Sequence, residues 1–190
     1  FAAGLAAAGL RPVAAIYSTF LQRAIDQIIH DVALQNLPVI FAIDRAGAVP
    51  YDGETHQGLY DICFLRSIPN MTVLAPASAA EMRAMLHYAL QLESPVAIRY
   101  PKNTCASECP AFALPLETGC GVLTAASNES SVLLICTGGM YPETVAAAEI
   151  LGTRGSAVDI YNLRFIKPLN EARLLELVSR QYRTVVIIED

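Results

Sequence analysis

The sequence predicts an α/β fold composed of two three-layer domains whose sheets are mainly parallel. Short runs of β-branched and apolar residues alternate with stretches of helical periodicity in both halves of the chain. These runs are apolar at consecutive positions, which is typical of strands that helices cover on both faces. A polar, proline-containing segment at 104–118 separates the two series. We therefore expect a first domain at 1–103, a linker, and a second domain at 119–190.

The first series begins with a β-α-β unit and continues with two more strands. Ser78 and Glu81 have the spacing of a capping box, which predicts a helix that begins after Ser78 and continues to about Leu92. Two further helices are predicted at 21–34 and 59–65. Strands are predicted at 13–17, 37–43, 71–75 and 96–100.

The second series has the element order β-α-β-α-β. Pro142 fits the first turn of a helix, where its missing N–H removes no helical hydrogen bond. The predicted strands lie at 131–136, 157–162 and 184–188, and the predicted helices at 142–151 and 170–179. Strands and helices that alternate in this way favour a parallel sheet covered by helices.

The composition is that of a globular chain and excludes several classes of partner. Of the 190 residues, 54% are hydrophobic, and the formal net charge is −5. An acidic chain with scattered Lys and Arg has no basic face for nucleic acid or an anionic membrane. No apolar run approaches the ~20 residues of a membrane span, and the first residues lack the pattern of a signal peptide. We therefore expect a cytoplasmic protein.

The five cysteines are an odd number in a chain with ample core, so we expect free thiols. Cys105 and Cys109 have a spacing seen in metal sites, but no His accompanies them, and no metal site is predicted. The chain begins without Met and stops on a β-branched run, from which we expect a piece of a longer protein.

The most informative segment is the polar loop at 44–58, which follows a predicted strand. It holds an Arg, two Asp, a Glu and a His in a chain that is only 16% charged. Ligands of open α/β sheets bind outside the carboxyl ends of the strands. Within this loop, Asp52 and His56 can face one cavity, where a His titrates near neutrality and an Asp can orient it. A solvated loop His is the alternative interpretation.

Four blocks of sequence resemble the 1-deoxy-D-xylulose-5-phosphate synthase family in order and approximate spacing. They are residues 17–24 (YSTFLQRA), 41–47 (FAIDRAG), 52–58 (DGETHQG) and 163–169 (LRFIKPL). The resemblance runs over nearly the whole chain. It implies most of a pyrimidine-binding domain with the thiamine diphosphate-binding fold, followed by the start of a transketolase C-terminal domain.

Members of this family decarboxylate pyruvate and pass a two-carbon unit to D-glyceraldehyde 3-phosphate, which gives a precursor of isoprenoids, thiamine and pyridoxal. In such enzymes the cofactor carries the carbanion chemistry, and the protein places it. The resemblance implies a transferase that uses thiamine diphosphate and Mg²⁺ in its full-length form and works as a homodimer.

The resemblance also assigns roles to individual residues. Phe20 would stack on the aminopyrimidine ring of the cofactor, and an aromatic face at a strand end suits such a ring. A core phenylalanine is the alternative. Tyr17 and Arg23 would lie near the reacting end of the cofactor, where a phenol and a cation can steady a carboxylate. Asp52 and His56 would complete the catalytic set.

Arg45 and Arg99 follow the second and fourth predicted strands and can converge at one edge of the sheet. The resemblance assigns both to the phosphate of the substrate, which two guanidinium groups can hold as a fork. Unrelated surface salt bridges are the alternative, above all for Arg99.

Two motifs of the family are not found. Its proton-relay glutamate belongs before the counterpart of Phe1, and the Gly-Asp-Gly motif that holds Mg²⁺ and the diphosphate does not occur in this chain. We therefore expect this piece alone to bind neither cofactor nor metal and to be inactive. Two other hypotheses stay open: a subunit of a split transketolase-like enzyme, and a non-catalytic assembly module.

Overall fold

The computed structural model describes residues 1–127, 129–180 and 182–190 and confirms the α/β architecture. Nine strands lie within these residues: β1 (Val13–Tyr17), β2 (Ile40–Asp44), β3 (Thr72–Leu74), β4 (Val96–Arg99), β5 (Val122–Ala125), β6 (Val132–Thr137), β7 (Val158–Leu163), β8 (Phe165–Lys167) and β9 (Thr184–Ile188).

The α-helices of the described residues are interspersed with these strands along the sequence. They are α1 (Ala2–Ala7), α2 (Ser18–Leu21), α3 (Ile25–Gln27), α4 (Asp61–Ser67), α5 (Ala79–Gln91), α6 (Tyr141–Thr153) and α7 (Glu171–Val178). Single 3₁₀ or π turns occupy Gln22–Ala24, Ile28–Ala33, Glu54–His56, Pro110–Ala113 and Gly138–Met140.

The first sheet has the strand order β1-β2-β4-β3-β8, in which the first four strands are parallel. Strand β8 pairs antiparallel with β3, although it lies within the predicted second domain. Phe165 explains this placement, because it is fully buried and packs edge-on against Tyr88 of α5 at 5.5 Å between ring centroids. The first sheet is therefore built from both halves of the chain.

The second sheet has the order β5-β7-β6-β9. Strands β7, β6 and β9 are parallel at the predicted positions, and β5 is an antiparallel strand that the sequence did not predict. Both sheets are thus mainly parallel with one antiparallel strand each.

The central strands β2, β4 and β3 bury both faces, as their continuous apolar runs predicted, whereas the edge strand β1 is only partly buried. Ile43 and Val73 belong to a cluster with residues of α2 and α4, whereas Leu74 and Ile98 pack with Met85 of α5 on the other face. Each of these five side chains is at most 2% exposed. Helices cover the sheet on two sides, so its open edge at the carboxyl ends of β1 and β2 is the place for a ligand.

The helix predicted at 21–34 is divided into short α, 3₁₀ and π segments. The break falls at Ala24, whose φ of −108° and ψ of 7° are not helical. Beyond it, a π turn buries Val32 and Ala33 together against the sheet. Irregular turns within a helix often accompany functional sites, and the 3₁₀ turn at Gln22–Ala24 begins two residues after Phe20.

Helix α5 is capped as predicted on one side of its capping box. The Ser78 hydroxyl accepts a hydrogen bond from the Glu81 N–H at 3.2 Å. The Glu81 carboxylate, however, accepts hydrogen bonds from Asn162, which lies in β7 of the second sheet, and from Arg164, which follows β7. Glu81 and Arg164 are 0% and 1% exposed, so a buried ion pair joins the two domains.

The linker packs on the protein through Arg164. The two Nη atoms of this guanidinium donate to four linker carbonyls, at 3.0 to 3.2 Å. These belong to Ala111, Phe112, Leu114 and Pro115. Arg164 therefore has a structural role, because it holds the linker in place.

None of the described helices is long and apolar enough to cross a membrane. Within the described ranges, no three or more His, Cys, Asp or Glu side chains are grouped so that they could hold a metal ion. The five cysteines are free thiols.

Candidate active site

The polar loop at 44–58 leaves β2 at the carboxyl edge of the first sheet, next to the end of β1. A pair of backbone hydrogen bonds between Gly47 and Gly58, both 2.8 Å, closes the base of this loop. Gly58 is required there, because a Cβ at this position would lie 2.2 Å from the carbonyl oxygen of Arg45. The loop is thereby held as a compact wall beside β1.

Three aromatic rings line up at the end of β1. Tyr17 and Phe20 are stacked with centroids 5.5 Å apart, and His56 meets Phe20 edge-on at 5.3 Å. Thr19 holds this contact in place, since its hydroxyl donates to the Thr55 carbonyl at 3.0 Å. Phe20 is 42% exposed, which excludes the core-phenylalanine alternative.

Arg45 lies directly over the Tyr17 ring, with its Cζ 3.8 Å from the centroid. Its Nε donates to Asp52 at 3.1 Å, and its Nη1 is paired with Asp44. Burial opposes the Arg45 charge, but the Asp52 hydrogen bond and the Asp44 charge more than compensate, so the pKa of Arg45 is raised. This guanidinium is thus a fixed cation at the mouth of the loop.

Asp52 binds two cations and not the histidine. One carboxylate oxygen accepts from Lys102 at 2.5 Å and the other from Arg45. The hydrogen bond from Lys102 is the main cause that lowers the pKa of Asp52, and Arg45 adds to it against desolvation. The expectation that Asp52 orients His56 is not met in this arrangement, because both oxygens of Asp52 are taken up by cations.

His56 is hydrogen-bonded to its neighbour in sequence instead. Its Nδ1 lies 2.9 Å from the Thr55 hydroxyl. That contact uses one ring nitrogen and leaves Nε2 with no hydrogen bond to another described residue. The ring is partly exposed beside Phe20, so Nε2 can meet a substrate.

Arg99 does not form the expected fork with Arg45, although the two residues end neighbouring strands. Its Nε donates to Asp61 at 3.0 Å and its Nη1 to Asp190 at 2.6 Å. Arg99 is only 2% exposed, so its donors do not reach an open surface. It also does not form the alternative surface salt bridge, because its partners are buried with it: the side chains of Asp61 and Asp190 are 1% and 8% exposed.

Arg23 lies in the 3₁₀ turn after α2 and is exposed. It makes no hydrogen bond or ion pair with another residue that the structure describes. Ala24, where the helix breaks, follows Arg23 directly.

The sequence interpretation missed Lys102, which lies three residues after the end of β4. A cation so close after a buried strand could have been recognised by the same reasoning that selected Arg45. Lys102 also borders a cleft of about 540 Å³ between the two domains, together with Asp44, Tyr100, Gly138 and others.

The residues at this edge fit one part of a thiamine-type cofactor. An exposed Phe20, backed by Tyr17 and flanked by His56, suits a flat heteroaromatic ring. No described group of side chains here suits the metal ion of a diphosphate.

Comparison with known proteins agrees with this geometry. Residues 1–107 match the family model of the transketolase pyrimidine-binding domain, and residues 122–190 match that of the transketolase C-terminal domain. The chain belongs to the transketolase family.

Two curated relatives are both named 1-deoxy-D-xylulose-5-phosphate synthase. The protein from Treponema pallidum (strain Nichols) is 60% identical over 190 residues, and that from Magnetococcus marinus is 50% identical over 190 residues. Each alignment covers 100% of this chain but 30% of the relative. The chain thus spans about a third of the length of these relatives.

Solved structures show the same fold. A split gene transketolase, described as an inactive beta4 tetramer, has a TM-score of 0.85 and 29% identity, covering 100% of this chain and 60% of that one. A transketolase from Campylobacter jejuni has a TM-score of 0.74 at 20% identity, covering 94% of this chain and 31% of that one, and supports the fold alone.

Proposed function

We propose that this chain is part of a 1-deoxy-D-xylulose-5-phosphate synthase, which condenses pyruvate with D-glyceraldehyde 3-phosphate and releases CO₂. The observation that carries the proposal is the exposed Phe20 ring, stacked on Tyr17 and flanked by His56, next to the cations Arg45 and Lys102. Relatives at 60% and 50% identity over the full length of this chain carry that name.

Phe20 provides the surface on which the aminopyrimidine ring of thiamine diphosphate would lie. When bound, this cofactor supplies the carbanion chemistry that pyruvate decarboxylation requires. Mg²⁺ and the diphosphate would be held by parts of the parent enzyme outside this chain. We expect the chain by itself to bind neither of them and to be inactive.

His56 and Arg23 would handle the polar ends of the donor. With the Thr55 hydroxyl at Nδ1, the opposite nitrogen of His56 can exchange a proton with a substrate oxygen. Arg23 is an exposed cation just beyond Phe20 and would attract the carboxylate of pyruvate. Tyr17 supports both Phe20 and Arg45 by stacking, which makes it a positioning residue in this arrangement.

Arg45 would face the phosphate of D-glyceraldehyde 3-phosphate. Its Nη2 makes no hydrogen bond to another described residue, while Nε and Nη1 are fixed by Asp52 and Asp44. Arg99 would reach the phosphate only after Asp190 moves away from it. Asp52 would act chiefly by fixing Arg45.

The parent enzyme is proposed to be a cytoplasmic homodimer. The exposed side chains Phe20, Tyr51, Leu59 and Tyr60 around the candidate site are an apolar surface that a second subunit or a further domain would cover.

The test is a turnover assay of the full-length parent with thiamine diphosphate, Mg²⁺, pyruvate and D-glyceraldehyde 3-phosphate. We expect product formation in the wild type and a loss of about 10²-fold or more in kcat for His56→Ala. Replacement of His30, which lies in the π turn away from the loop, is the matched control and should leave turnover unchanged. Unchanged turnover in His56→Ala would instead support a non-catalytic assembly module.

A second candidate is a subunit of a split transketolase-like enzyme, favoured by the TM-score of 0.85 to a split gene transketolase. In that case the native protein would copurify with a separate cofactor-binding polypeptide. A single polypeptide that carries both parts would exclude this candidate, and intact-mass measurement of the native protein distinguishes the two.

A further inference from the structure

Gln57, the residue after His56, makes three side-chain hydrogen bonds inside the polar loop at 44–58. Its Nε2 donates to the carbonyl of Val49 at 3.0 Å and to that of Gly53 at 2.8 Å. Its Oε1 accepts from the Val49 N–H at 2.8 Å. The two donors and the carbonyl oxygen of the carboxamide are therefore all used within the loop.

The loop depends on these hydrogen bonds because its backbone conformation is unfavourable. Tyr51 lies between the two residues that Gln57 binds and has a φ of 70°, in the left-handed region that residues other than Gly rarely occupy. The Tyr51 side chain is fully exposed, so its packing does not hold this reversal of the chain. Gln57 binds the backbone before and after the reversal and thereby stabilises it.

The same carboxamide closes the 3₁₀ turn at Glu54–His56. The His56 N–H donates to the Gly53 carbonyl at 3.4 Å, and the Gln57 amide donates to the same oxygen at 2.8 Å. The other residue that Gln57 binds, Val49, is only 5% exposed. Gln57 thus connects the turn that carries the imidazole to a buried part of the loop.

We propose that Gln57 is a positioning residue of the reaction, which acts through His56 by holding its turn against the Phe20 ring. This inference rests on the proposed function, since it concerns the placement of a group that would exchange a proton in that reaction. Thr19 holds the turn from the side of α2, and Gln57 holds it from the side of the loop. The edge-on contact of His56 with Phe20 at 5.3 Å depends on both.

The first measurement is a double-mutant cycle in the full-length parent enzyme, with pyruvate and D-glyceraldehyde 3-phosphate as substrates. Gln57→Met keeps the approximate shape of the side chain and removes all three hydrogen bonds. We expect kcat to fall about tenfold or more, because a displacement of about 1 Å in a reacting group can cost about 10²-fold. In the His56→Ala background, the same change should alter kcat by less than about twofold, since the group that Gln57 positions is gone.

Gln35→Met is the matched control. The Gln35 amide also donates to a backbone carbonyl, that of Asp31 at 3.0 Å, but it lies outside the loop. This variant should leave kcat unchanged.

The second measurement is hydrogen exchange at the Val49 amide, which does not depend on turnover. This N–H donates to the Gln57 side chain, so it should exchange about fivefold or more faster in Gln57→Met. The amides of β4 should exchange as in the wild type. Gln57→Asn has an amide one methylene shorter, which cannot span Val49 and Gly53, and it takes the place of the Met variant if that variant does not fold.

An equal fall in kcat with and without His56 would overturn the proposal, because Gln57 would then stabilise the enzyme without acting through His56. Unchanged kcat in Gln57→Met, or unchanged exchange at Val49, would overturn it as well. If the wild-type parent lacks turnover and the Val49 amide still exchanges faster in Gln57→Met, the proposed function fails, whereas the role of Gln57 in holding the loop stands.

Discussion

Asp190 accepts a hydrogen bond from Nη1 of Arg99 at 2.6 Å, which joins the region after β9 in the second sheet to the end of β4 in the first. The Asp190 side chain also lies against the polar loop at 44–58, since a Cβ at Gly47 would come within 2.4 Å of its Oδ2. Because Asp61 holds the other side of the guanidinium, two carboxylates share one buried cation.

The first prediction concerns this shared cation. In the full-length parent, Asp190→Asn keeps an oxygen acceptor but removes one charge, so Arg99 is held less tightly. We expect KM for D-glyceraldehyde 3-phosphate to fall about two- to fivefold, because an added phosphate no longer competes with a carboxylate. Glu189→Gln removes the same charge from an exposed neighbour and serves as control. A rise in KM would contradict the prediction.

Replacement of Arg99 should cost stability. Arg99→Met leaves the carboxylates of Asp61 and Asp190 without their cation, and an unpaired charge of this kind typically costs about 3–5 kcal/mol in the free energy of unfolding. Arg173→Met is the control, because its ion pair with Glu176 is 62% exposed on both sides and contributes about 1 kcal/mol or less. The guanidinium chloride midpoint measures both. Equal midpoints for the two variants would refute the buried cluster.

The linker should become sensitive to proteases when Arg164 is shortened. Arg164→Lys cannot donate to four carbonyls at once, so most of these linker carbonyls lose their partner. The loss costs about 1–3 kcal/mol where the carbonyl is buried, as at Phe112. We expect thermolysin to cleave between 110 and 117 much faster than in the wild type. Arg154→Lys, at the end of α6, should leave the cleavage rate unchanged. An unaltered rate in Arg164→Lys would show that other contacts hold the linker.

Tyr182 gives a prediction for alkaline pH. Burial, and then its hydrogen bond to Asp159, raises the pKa of Tyr182 to about 12. A raised pKa stabilises the fold fully below the unfolded value of about 10, and this contribution is lost as the pH rises through about 12. The wild type should therefore lose more stability than Tyr182→Phe between these two pH values.

Denaturant midpoints at both ends of that range measure the effect on Tyr182. Tyr51→Phe is the control, because this tyrosine is fully exposed and should follow the wild type. If Tyr182→Phe and the wild type lose stability in parallel, the raised pKa of Tyr182 makes no contribution to stability over this pH range.

Local pattern was sufficient for most of the strands and for the capped start of α5. Continuous apolar runs such as those at Ile40–Asp44 and Val132–Thr137 specify strands buried on both faces whatever their neighbours are. The polar loop was also identified from its charge density alone. These features depend on neighbouring residues, so a single sequence carries them.

Contacts between distant segments could not be predicted in this way. Strand β8 has only three residues, and its position depends on the contact between the Phe165 and Tyr88 rings. The partners of Arg99 lie 38 and 91 positions away in the chain. The same limit explains the wrong pairing of Asp52 with His56, which rested on their spacing in the sequence. In the fold, Asp52 forms ion pairs with Arg45 and Lys102 instead.

The pairing of β8 with β3 also limits how the two halves can move and how they can be separated. Because β8 completes the first sheet, the halves cannot swing apart as on a hinge without breaking its hydrogen bonds to β3. A shortened chain that ends in the linker would leave the backbone of β3 as an unpaired sheet edge. Such an edge invites pairing with other chains, so a separately produced first half should tend to aggregate.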